Sequence, residues 1–88
     1  MEKIRIDLVR LKTEEDALKR FGRLKGMPAD YNSEFEELHG ILQAWDKPLK
    51  IEIVIGGNIG PFTKLMEMLE DVRTTNNNLL FVVIMYMA

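Results

Sequence analysis

Apolar residues recur along this chain with two periods, and the switches between them mark its elements. Ile4 to Leu11 reads IRIDLVRL, in which Ile4, Ile6 and Leu8 alternate with Arg5, Asp7 and Val9, the period of a strand. Thr13 follows as an N-cap with Asp16 three residues on, close to a capping box. The helix after it gathers Ala17, Leu18, Phe21 and Leu24 on one stripe and leaves Lys19, Arg20 and Arg23 outside. Gly22 weakens this helix, and Gly26 followed by Pro28 is expected to end it. A polar connector, Pro28 to Asn32, leads to Ser33, whose S-x-x-E spacing to Glu36 predicts a second capped helix. There Phe35, Leu38, Ile41 and Leu42 face the core, Glu36, Gly40 and Gln43 lie opposite, and Glu37 and His39 flank them.

The second half repeats the alternation of periods. Leu49, Ile51, Ile53 and Ile55 form one face of a strand, with Lys50 and Glu52 on the other. Gly56 to Gly60 is a glycine-rich loop, and Pro61 suits the first turn of a helix running to about Thr74. Strand, glycine loop and helix in that order invite comparison with a phosphate cradle. The loop has neither G-x-G-x-x-G nor G-x-x-x-x-G-K-[ST], and Pro61 lacks an N–H donor, so it reads as a plain turn. Phe62, Leu65, Met66, Leu69 and Val72 make the third helical stripe, which Asn76-Asn77-Asn78 closes through a residue tolerant of left-handed backbone. Leu79 to Met87, LLFVVIMYM, is so uniformly apolar that it predicts a strand covered on both faces. The order is therefore β-α-α-β-α-β, an α/β fold with parallel strands and right-handed crossovers.

Composition narrows the class. Eighty-eight residues, 47% hydrophobic and 30% charged, fit one globular domain, residues 1–88, with room for one core and little for a walled-off cleft. The absence of cysteine removes disulfides and thiolate metal sites and suits a cytoplasmic setting. MEKIRIDLVRLK alternates charged and apolar residues instead of forming a signal peptide, and the longest apolar run, Leu79 to Ala88, is about half a membrane span. No membrane role is expected.

Charge is unevenly placed. Residues 1–26 carry eight Lys/Arg against five Asp/Glu, whereas residues 27–46 carry Asp30, Glu34, Glu36, Glu37 and Asp46 with no Lys or Arg. An acidic block disfavours direct nucleic-acid binding and points to a basic partner, unless it is simply a solvated helix face. Part of it follows from the favourable placement of acids in the first turn of a helix. His39 is the one histidine; paired with Glu36 alone it makes a poor metal site. Glu36, Glu37 and Asp71 fall on predicted exposed faces without the burial that tunes a general acid or base. No catalytic residue, metal ligand or cofactor is expected, and the six methionines read as core filling.

The run LKGMPADYNSEFEELHGILQAWDKPLKIEI places Pro28, Tyr31, Leu38, Leu42 and Trp45 in a P-x2-Y-x6-L-x3-L-x2-W frame. In this frame, its element order and its length, the chain resembles the barstar family, intracellular inhibitors of a secreted bacterial ribonuclease. The resemblance implies a barstar-like three-stranded parallel sheet packed with helices. It also implies an inhibitory surface, formed by the second helix and the loop before it, that plugs a basic RNA-binding site. Carboxylates would stand in for RNA phosphates there. Carried over by position, that surface comprises Asp30, Tyr31, Asn32, Glu34, Glu36, Glu37, His39, Gly40, Gln43, Ala44 and Trp45, with Asp71 at its edge. Glu36 stands for the family's first helix aspartate. Gly40 stands where the family has its strongest acid, Asp30 where it has a loop tyrosine, Asn32 and Ala44 where it has glycines, and His39 where it has a tryptophan. The expectation is a monomeric immunity-type protein that occludes a basic ribonuclease or related toxin. The alternative, which Gly40 favours, is a natural or engineered scaffold of the same fold with a different partner or with inhibition lost.

Overall fold

A computed structural model describes residues 1–86 of the chain. Its elements are β1 (Glu2–Asp7), α1 (Glu14–Phe21), α2 (Phe35–Gln43), β2 (Leu49–Ile55), a 3-10 turn (Gly60–Phe62), α3 (Thr63–Thr75) and β3 (Leu79–Met85). The strands form one all-parallel sheet in the order β1-β2-β3. This is the α/β architecture expected from the alternating periods. Met87, placed in the last strand by its sequence, lies outside the described residues.

Register explains the core. Ile51 of β2 pairs with Ile4 on one side and Phe81 on the other, Ile53 with Ile6 and Val83, and Leu49 with Leu79, so one sheet face is apolar but for Glu2 at its rim. Against it pack Ala17, Leu18 and Phe21 of α1, Leu38 and Leu42 of α2, and Leu65, Leu69 and Val72 of α3. Each fully buried aliphatic or aromatic chain of this set contributes about 1.5–3 kcal/mol. The opposite face carries Lys3, Arg5, Lys50 and Glu52, and among the described residues no helix lies over it. Glu52 is buried there beneath its ion pairs to Lys3 (3.9 Å), Arg5 (3.4 Å) and Lys50 (3.8 Å).

Several local expectations change. The last strand is not covered on both faces. Successive right-handed crossovers in the order β1-β2-β3 put all helices on one side and leave β3 at the sheet edge. Leu80, Val83 and Met85 are 51%, 52% and 60% exposed as a result. α1 stops at Phe21, where three successive i→i−3 backbone bonds, to Lys19, Arg20 and Phe21, tighten the chain and still turn Leu24 into the core.

The Ser33 capping box does not form. Ser33 has φ 59°, Glu34 is the N-cap of α2, and Glu37 Oε1 instead accepts the Asn32 N–H at 2.8 Å. The Thr13 cap does form, its hydroxyl accepting the Asp16 N–H at 3.2 Å. Asn76 closes α3 in an extended conformation (φ −134°), not a left-handed one.

Candidate functional site

The connector and α2 lie on the outside of the helical layer, and three anchors fix them. Tyr31, half-buried, donates its hydroxyl to the Leu18 carbonyl of α1 at 2.7 Å and lays its ring beside Gly22. Trp45 is buried in the core, and its ring approaches Gly26 so closely that a Cβ there would stand 2.7 Å from it. Asn76, buried at the close of α3, donates its side-chain amide to the carbonyls of Leu42 (2.9 Å) and Trp45 (2.9 Å), reinforcing the end of α2 beside the Trp45 N–H that Leu42 also accepts (3.3 Å). Tyr31, Leu38 and Trp45 of the spaced frame are thus packing residues, while Pro28 is exposed.

On this frame the acidic side chains point outward. Asp30, Asn32, Glu34, Glu36, Gly40, Gln43, Ala44 and Asp71 are exposed, and Glu37 and His39 are half-buried. Trp45 does not belong with them as a surface contact: its indole is 8% exposed. Tyr31 faces α1 more than solvent, and burial pushes its phenol up to about 12, with the charge of Glu37 adding to the effect and a hydrogen bond with Ser33 opposing it. Gly40 opens onto solvent and would accept any side chain, since no neighbouring atom among the described residues lies within 4 Å of a Cβ built there.

Two contacts tie α2 to α3 across this face. His39 Nε2 lies 2.6 Å from Asp71 Oδ2, and Lys64 Nζ sits 4.5 Å from the centroid of the Phe35 ring. The face therefore carries one cation that charge counting within residues 27–46 missed, because Lys64 arrives from a helix distant in sequence. Glu36, Phe35, His39, Lys64 and Met68 line a shallow groove between the two helices. Among the described residues, no Lys or Arg forms an ion pair with Asp30, Glu34, Glu36 or Glu37. Their charge is not neutralised internally.

Among the described residues, no group of three or more His, Asp or Glu side chains is gathered to hold a metal ion. At the glycine loop, Glu14 of α1 accepts the Leu65 N–H at 2.7 Å, so a carboxylate of the chain already occupies a donor at the start of α3. No helix among the described residues is long and apolar enough to cross a membrane. Neither protein-family models nor curated proteins match the sequence.

Proposed function

We propose that this chain is a barstar-like protein inhibitor that binds a basic ribonuclease or related toxin through the connector and α2, occluding its RNA-binding site. The observation that carries the reading is the set of exposed carboxylates at Asp30, Glu34 and Glu36, with half-buried Glu37 beside them, none paired with a Lys or Arg among the described residues and all held on a braced connector and helix. Side chains whose position is set before binding lose little freedom on meeting a cationic cleft, and their charges speed the encounter. Glu36 and Asp71 serve as phosphate mimics. His39, bonded to Asp71, positions that acid from α2. The chain performs no catalytic step in this reading.

A second reading keeps the scaffold and changes the partner, and Gly40 favours it. A glycine at the centre of the face contributes no carboxylate, which would cost several kcal/mol toward a ribonuclease that needs one there. The open space at Gly40 makes the test direct. Gly40→Asp places an acid there without a clash, and the protein is assayed for inhibition of a barnase-type ribonuclease. The inhibitor reading expects measurable inhibition by the native chain and tighter inhibition by Gly40→Asp, by about tenfold or more. Absence of inhibition by both proteins would reject a ribonuclease partner and leave the scaffold reading.

A further inference from the structure

The two edges of the sheet are treated very differently by the sequence. β1 interleaves its apolar residues with Glu2, Lys3, Arg5 and Asp7, charges that discourage another strand from pairing there. β3 has no charged residue, no proline and no glycine in LLFVVIM. Its backbone orientation is fixed by its neighbours. Leu49 N–H donates to the Asn78 carbonyl and Tyr86 N–H to the Ile55 carbonyl, so even-numbered residues of this strand turn their peptide groups toward β2. The peptide groups of Phe81, Val83 and Met85 consequently face away from the sheet. Among the described residues, no strand lies beyond them.

We propose that β3 pairs antiparallel with β3 of a second copy of this chain, joining two three-stranded sheets into one of six strands. With the two-fold axis at Val82, Phe81 stands opposite Val83 of the second copy, Leu80 opposite Ile84, and Leu79 opposite Met85. Every facing pair is apolar, and the outward N–H and C=O groups meet their counterparts in hydrogen-bonded pairs. An uncharged edge buries no charge against itself, which is why a second copy suits it better than an acidic or basic segment.

Strand pairing alone covers a strip narrower than the roughly 800 Å² per partner of a standard interface. The flank of α3 turned away from α2 widens the seam. Helical spacing places Met66, Glu70 and Arg73 there, opposite Lys64 and Asp71, which face α2. Glu70 and Arg73 pair within the chain, and a flank carrying one acid and one base a turn apart is complementary to its own antiparallel copy. The dimer leaves the α2 face open on the far side of α3, so it is independent of what that face binds. The expected monomer then holds only at low concentration.

Sedimentation velocity from low to several hundred micromolar tests this. The mass should climb from that of the 10.2 kDa chain toward twice that value and no further. Val83→Pro removes an outward N–H that the monomer does not use, and should abolish the rise while far-UV circular dichroism stays unchanged. Val83→Lys tests the same seam without proline if that variant does not fold. Amide exchange of Phe81, Val83 and Met85 in the native chain should slow as concentration rises. A monomer at all concentrations, growth beyond a dimer, a dimer in the folded variants, or edge amides indifferent to concentration would each overturn the proposal.

Discussion

Tyr31 shows how one residue can look like a contact and act as a brace. Its hydroxyl donates to the Leu18 carbonyl, and burial raises its phenol from an ordinary value near 10 to about 12. The native state therefore holds the proton more tightly than the unfolded chain does. The stabilisation is complete below about pH 10 and is lost as pH rises through the folded value. Thermal melting between pH 9 and about pH 12 should show a decline that is shallower in Tyr31→Phe. At neutral pH the same variant should lose about 0.5–1.5 kcal/mol, the net worth of a hydrogen bond. An unchanged melting temperature would mean that the hydroxyl is equally well solvated in the unfolded chain. Gly40, the sixth of the nine residues of α2, is the opposite case: packing asks nothing of it, so only a partner could decide its identity.

At the scale of elements, α2 is nine residues long, too short to be stable by itself. Three devices from outside its own apolar face hold it. Acids at Glu36 and Glu37 complement the positive end of its dipole, Glu37 also binds the Asn32 N–H, and Asn76 caps its far end from the close of α3. Asn76→Ala would remove one donor from each of the Leu42 and Trp45 carbonyls, leaving Leu42 with the Trp45 N–H (3.3 Å) and Trp45 with the Asn78 side-chain amide (3.1 Å). A loss of about 1–2 kcal/mol in urea unfolding is expected, with amide exchange accelerated in α2 before α1. A cost below about 0.5 kcal/mol would show that water replaces the side-chain amide at no penalty.

Over the whole molecule, charge is segregated: a formal net charge of −2 conceals a basic first third and an acidic middle. Segregation of this kind acts on encounter rates. Association of the native chain with a basic ribonuclease should slow by at least about tenfold between low and physiological salt, while dissociation changes little. Stopped-flow mixing across that range measures it. An association rate indifferent to salt would reject electrostatic recognition whatever the affinity. The bare sheet face does not compete for this role, because Lys3, Arg5 and Lys50 around the single carboxylate of Glu52 leave it an excess of positive charge that repels a basic partner.

Sequence by itself determined the order of elements, because period and capping chemistry are local properties of a few consecutive residues. It determined β2 to the residue, the helical stripes except that α3 buries Met68 where the sequence placed Met66, and the acidic segment that forms the candidate face. Where it failed, the deciding atoms lay far away in the chain. The apolar run of β3 resembles a buried strand, yet strand order alone places it at an edge. Ser33 has the spacing of a cap, but Tyr31 anchored to α1 and Glu37 bonded to Asn32 set the entry angle of the helix. Trp45 belongs to the same frame as the face and is spent on the core, and Lys64 and Asn76 join α2 from more than twenty residues away. Tertiary structure decided which side chains of the acidic segment are free to meet a partner, because burial and pairing depend on what packs against a residue and not on its neighbours in sequence.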